Sequence, residues 1–181
     1  MTKNKKSDGK ALKWILGLAV AGLLFVPCIG IVAAIAIPAF VGYLQRSKTA
    51  EANSNLRALF EGASAYYEQE HFGPDGQVRT HCLVDAASTP GQPGPTKVVY
   101  PPLAPSFEAL GFSAADPLYY RYEIHSPGGC GHTAGDPQLY TFRARGDLDG
   151  DGRQSTFEIA VGSSRENQMV RAEIDANEPL E

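Results

Sequence analysis

The stretch Asp-Leu-Asp-Gly-Asp-Gly-Arg-Gln-Ser-Thr-Phe-Glu, residues 147–158, sets acids at Asp147, Asp149 and Asp151, a glycine at Gly152 and a further acid at Glu158. This is the order D-x-D-x-D-G-x5-E. Alternate carboxylates drawn together by a tight loop suit a hard cation. Ca²⁺ takes about 6–8 oxygen ligands, and a glycine at the turn lets the chain fold around it. In such a loop Asp147, Asp149 and Asp151 each give a carboxylate oxygen. Arg153 gives its backbone carbonyl, Ser155 its hydroxyl or a bridging water, and Glu158 two oxygens. Calcium is therefore the expected cofactor. Without an ion the same residues make a solvated acidic turn, because Asp and Gly favour turns in any case. The flanks alternate as strands, so the expectation is a calcium loop within a β-hairpin rather than between helices. Glu158 then lies in a strand, where its side chain can point away from the ion.

Other chemistry-bearing residues are sparse. The sequence has no G-x-S-x-G, P-loop, H-E-x-x-H or G-x-G-x-x-G. No catalytic residue is expected, and Cys130 beside His132 is the nearest approach to a nucleophile and base. The cysteines are Cys28, Cys82 and Cys130. Cys28 sits in an apolar run and reads as a small apolar residue. If the distal part is exported, Cys82 and Cys130 form an even pair in an oxidising space and are expected to bond. His81, His125 and His132 lie near them, but no C-x-x-C pair occurs and the spacing matches no closed zinc pattern. Tyr119, Tyr120, Tyr122 and Tyr140 fit sheet packing better than ligand stacking.

Charge divides the chain. Residues 1–13 hold five lysines against one aspartate, a net of +4, which leaves −8 on the rest of a chain whose total is −4. An acidic body does not attract nucleic acid, whose affinity comes largely from phosphate neutralisation. No charged residue occurs from Trp14 to Leu44. A membrane-spanning helix needs about 20 apolar residues, and this run exceeds that. Lysines on its N-terminal side predict a cytoplasmic N-terminus and a head across the membrane. A cleaved signal is the other reading, with "AIA" before Ile37 as a small-residue site. Its apolar core is normally about 7–15 residues, far shorter than this run.

The pattern beyond Leu44 changes without a break. Ala52, Leu56, Leu59, Phe60, Ala63 and Tyr67 recur at spacings of three and four, one stripe of an amphipathic helix. Arg57, Glu61, Ser64 and Glu68 take the other side. One helix is expected from near Leu12 to about Glu70, ended by Gly73, Pro74 and Gly76. Pro27 and Pro38 each remove a backbone hydrogen bond, and Gly30 lies between them. Gly30 and Pro38 thus mark a stretch that kinks, or loosens when packed against copies of itself.

"IGIVAAIAIPAF" followed by "VGYLQRSKTAEANSNLRAL" resembles the N-terminal helix of type IV pilins and type II secretion pseudopilins. The resemblance covers about Ile29 to Tyr67. It implies an inner-membrane anchor that later packs into the core of a helical filament, with Gly30 and Pro38 where that helix unwinds. It also implies an α+β head. Family members carry a cleavage glycine followed by "FTLIE". Counting back from Pro38, Leu16 stands in place of the glycine and Ala21 in place of the glutamate. Processing and docking are therefore not implied by the resemblance.

The distal part supports the same architecture. Residues 73–105 are proline-rich and read as irregular chain, with a short edge strand at Val98, Val99 and Tyr100. "PSFEALGF" predicts one helical turn, with Ser106 as N-cap and Gly111 just past the end. "LYYRYEIH", "LYTFRARGD", "STFEIAVG" and "MVRAEID" alternate as strands. The expected fold is α+β: a long helix, transmembrane and then amphipathic, on a small antiparallel sheet. The expected segments are a basic tail over 1–13, transmembrane helix over 14–44, amphipathic helix over 45–72 and a head over 73–181. The function that follows is a membrane-anchored structural subunit assembling with like subunits or with pilus or secretion machinery. A non-polymerising anchored binding module is the alternative, and an anchored hydrolase a remoter one.

Overall fold

A computed structural model describes residues 8–179, apart from the side chains of residues 8–12, 21, 23–25 and 28. The lysines of residues 1–7, and the side chain of Cys28, lie outside what is described. Helix α1 spans Asp8–Glu68 and contains Pro27 and Pro38. Two compact units divide the chain, residues 1–43 and residues 44–181.

Among the described side chains of the first unit, the large apolar ones lie exposed. Ile15, Leu18, Ile31, Val32, Ile35, Ile37 and Phe40 are each more than half exposed. A contiguous apolar surface of this kind marks contact with lipid or with another protein. Among the described residues there is one helix long and apolar enough to cross a membrane.

The second half of α1 behaves differently, because its apolar residues fall on one stripe. Ala52, Leu56, Leu59, Ala63 and Tyr67 are fully buried, and Phe60 packs against the same core. Burying a Leu-sized side chain contributes roughly 1.5–3 kcal/mol, so this stripe alone is a large part of the head's core. Two helical carboxyl and amide groups lock it further. Tyr119 N (2.8 Å) and Tyr120 N (3.3 Å) donate to Glu51 Oε1, and Asn55 Nδ2 donates to the Tyr122 hydroxyl at 2.8 Å.

Past the helix, His71–Phe72 (β1) and Val78–Arg79 (β2) form a small hairpin. Its turn uses Gly76 at φ 75°, a conformation glycine adopts without strain. A six-stranded antiparallel sheet follows. It comprises Leu83–Ser88 (β3), Arg121–Gly129 (β4), Tyr140–Gly146 (β5), Ser155–Ser163 (β6) and Met169–Arg171 (β7) in that order, with Asp175–Asn177 (β8) also paired to β6. Cross-strand pairs Ile124↔Phe142, Phe142↔Ile159 and Ala144↔Phe157 carry the core face. Residues of β5 alternate buried and half-buried along its whole length, as one covered face requires.

Three expectations need correction. Residues 73–105 are not all irregular, since β2 and β3 lie among them. Only Leu83 and Val84 of the β3 residues are strongly apolar, so its pairing with β4 defines it rather than its own pattern. The short helix α2, Pro105–Ala109, is capped by Ala104 with no side-chain bond, not by Ser106; Pro105 begins it. Proline suits that position because its missing N–H would be unpaired there anyway. Gly111, at φ 66°, follows the C-cap as expected. Val98 makes an isolated bridge to Leu118 rather than a strand.

Candidate functional site

The acidic loop, residues 147–154, joins β5 to β6 just beyond the Gly146↔Ser155 pair. Asp147, Asp149 and Asp151 each offer an oxygen, and these oxygens lie within 4.8 Å of one another. Two like charges about 4 Å apart repel by roughly 1 kcal/mol in water and more in a drier setting. Backbone donors offset part of this. Gly150 N donates to Asp147 Oδ1 at 2.8 Å and Gly152 N to Asp147 Oδ2 at 3.3 Å. Asp151 N donates to Asp149 Oδ1 at 3.2 Å, and Arg153 N to Asp151 Oδ1 at 2.7 Å. Asp147 is buried, whereas Asp149 and Asp151 are exposed. Gly150 and Gly152 both have positive φ, which lets the chain bend back over Asp147.

Of the remaining ligand candidates, Arg153 touches the cluster through its backbone N–H, and Glu158 is not among the clustered carboxylates. Glu158 points its carboxylate at Arg143, whose Nε (2.8 Å) and Nη2 (2.6 Å) both reach Oε2. That follows from the strand register, which sets Arg143 directly opposite Glu158. Ser155 is fully buried, and its hydroxyl donates to the Gly146 carbonyl at 3.3 Å. The Arg153 guanidinium pairs with Glu178. Glu158, as its place in a strand allows, is turned to Arg143 rather than to the three aspartates. The carboxylates the fold gathers are those of Asp147, Asp149 and Asp151.

Cys82 and Cys130 are joined by a disulfide. It borders the end pair of the β3–β4 ladder, Leu83↔Gly129. With its sulfur so bonded, Cys130 is no nucleophile for His132 to activate. Each nearby histidine is engaged elsewhere. His81 stacks on Tyr67 at 4.9 Å between ring centroids, His125 lies 3.2 Å from Glu123, and His132 Nε2 lies 3.0 Å from the Gly128 carbonyl.

Gly30 and Pro38 both lie exposed within continuous helix, and a Cβ added at Gly30 would meet nothing within 4 Å. Sequence reading passed over Glu51 and Asn55, which tie α1 to the start of β4. Their signal was present. They lie four apart on the face that also carries Leu59, where polar residues need partners from the sheet.

No protein-family model matches this chain, and no solved structure matches it. Among curated proteins it is similar to the type IV major pilin protein PilA of Myxococcus xanthus (strain DK1622), with 42% identity over 48 residues. That match spans 26% of this chain and 22% of the relative, so the chain is matched along only about a fifth of the relative's length. The fold is α+β, a long N-terminal helix followed by antiparallel sheet, and it is consistent with a pilin-like arrangement.

Proposed function

We propose that this chain is a pilin-like or pseudopilin-like structural subunit, anchored by residues 14–44 in the bacterial inner membrane. Its N-terminus is cytoplasmic and its head periplasmic. One observation carries the reading. Within one continuous helix, Ala52, Leu56, Leu59, Ala63 and Tyr67 are buried in the head, while Ile15, Leu18, Ile31, Val32, Ile35, Ile37 and Phe40 are exposed. Bare apolar helix needs lipid before assembly and other such helices after it. Partial similarity to a type IV pilin supports the same role. Gly30 and Pro38 are then where the helix loosens on entering a filament. Assembly with like subunits or with pilus or secretion machinery is the activity, with no small-molecule substrate.

The loop at Asp147, Asp149 and Asp151 would take Ca²⁺ through those carboxylates and loop backbone. Arg153 would contribute its carbonyl, with Ser155 and Glu158 as supports of the hairpin. Affinity in the range of extracellular modules, about 10⁻⁴–10⁻³ M, fits a loop with two exposed acids.

A second reading is an anchored module that never polymerises. Leu16 and Ala21, where the pilin pattern has its cleavage glycine and its glutamate, favour it. Shearing cells and weighing the intact protein separates the two. The chain in sheared filaments, shortened at its N-terminus, supports the subunit reading. Full-length chain confined to membranes supports the module.

A further inference from the structure

A second polar cluster lies where the uncharged run ends. Leu44 is the last residue of that run, and it lines a cavity of about 540 Å³ together with Ser47, Lys48, Glu51, Lys97 and Tyr119. Small-ligand sites span roughly 300–1,000 Å³. The α1 residues among them are spaced i, i+3, i+4 and i+7, so they share one helix face. Lys97 and Tyr119 come from the loops flanking the Val98↔Leu118 bridge.

The charges in this cavity do not balance. Glu51 is largely spoken for: its Oε1 accepts from the Tyr119 and Tyr120 amides, and its Oε2 lies 3.5 Å from Lys97 Nζ. Lys48 has no carboxylate partner among the described residues. Its Nζ sits 4.8 Å from the centroid of the Tyr119 ring, and Lys97 Nζ sits 5.1 Å from the same centroid. Two ammonium groups converge on one ring with one carboxylate beside them, leaving an uncompensated positive charge.

We propose that this cavity holds the phosphate headgroup of an anionic membrane lipid, gripped by Lys48 and Lys97 against Tyr119. The inference rests on the anchored reading given above. Lys48 follows Leu44 by four residues, about 6 Å of helix rise, and with Arg46 is among the first cations after the uncharged run, which on the anchored reading sets it toward the headgroups. A phosphodiester carries the single negative charge the cavity lacks. Leu44 offers apolar contact for the start of an acyl chain, which free phosphate cannot use. An acidic peptide would have no reason to seek the end of an apolar run.

The test uses the full chain in nanodiscs of equal phosphatidylglycerol and phosphatidylcholine, with lipids retained by the released protein counted by native mass spectrometry. Wild type is expected to retain phosphatidylglycerol preferentially. Lys48→Gln lowers that retention roughly 5-fold, and Lys48→Gln with Lys97→Gln roughly 30-fold, as expected for lysines at an anionic surface. Lys→Arg at both positions keeps it, and Arg57→Gln, on the same helix outside the cavity, leaves it unchanged. Equal retention of the two lipids, full retention by the double variant, or displacement of the lipid by millimolar inorganic phosphate would each overturn the headgroup site. Release of the chain from membranes by alkaline carbonate would instead overturn the anchoring, and this inference with it.

Discussion

Replacing Gly62 by alanine sets two effects against each other. Gly62 lies inside α1, where alanine is intrinsically better than glycine by about 1 kcal/mol. Helix propensity alone therefore makes the variant more stable. The packing says otherwise. A Cβ at Gly62 would stand 2.0 Å from the Leu110 carbonyl oxygen and 2.9 Å from its carbon. Both atoms are backbone, so no side-chain rotation relieves the contact. The end of α2 would have to recede by about 1 Å or more, and Phe107 and Leu110, both buried, would move with it. Overpacking costs about 1–3 kcal/mol, and a contact on unyielding backbone belongs at the upper end. The net is a loss of roughly 2 kcal/mol. For a body of this size that lowers Tm by roughly 6 °C. The assay is thermal unfolding of the full chain in mild detergent, followed by near-UV circular dichroism of the tyrosines. A second substitution, Leu110→Ala, should not rescue the variant, because the obstacle is the carbonyl and not the side chain. A Tm equal to or above wild type would refute the close approach of α1 and α2.

Three further outcomes are expected. Cys82→Ala with Cys130→Ala opens a loop with a sequence separation of 48, worth about 4 kcal/mol by loop-closure entropy, which urea unfolding with and without reductant measures. Burial raises the Tyr120 phenol from its usual 10 to about 12 and pushes Tyr122 and Tyr140 higher still. Because the folded values exceed the unfolded one, this contribution is whole below about pH 10 and is lost as pH rises through about 12. Ionisation of these phenols should coincide with unfolding in that window, and a full tyrosinate signal from a folded head near pH 10 would contradict it. Asp149→Asn with Asp151→Asn should remove any rise in Tm on adding millimolar Ca²⁺ while leaving the calcium-free Tm equal or slightly higher, because repulsion is relieved. A calcium response that survives the double change would show that the ion sits elsewhere.

How far the chain's chemistry could be read in advance differs from element to element. The stripe Ala52, Leu56, Leu59, Ala63 and Tyr67 was legible, and each of these residues is fully buried. So were β4, β5 and β6, whose alternation follows from one covered face. The strand β3 was not, because Asp85, Ala86 and Ala87 carry no strong strand preference. It is held by partners some forty residues away and by the disulfide at its end. The acidic loop was legible as a cluster of three aspartates. That Glu158 lies in a strand and can turn from the aspartates was legible; that Arg143 receives it was not, since the register depends on how β5 and β6 pair.

Local spacing was enough to establish a long helix, apolar on all sides and then on one, with an acidic α+β head beyond it. Hydrophobic period, proline position and charge asymmetry act between residues close along the chain. Only the tertiary structure decided which carboxylates stay together, that Gly62 must be glycine, and that Glu51, Lys97 and Tyr119 meet beside Lys48. The contacts of Gly62 and of the Lys48 cluster join α1 to segments more than forty residues away, and Glu158 meets Arg143 through strand register across the hairpin. Their energies exist only after the sheet has closed over the helix.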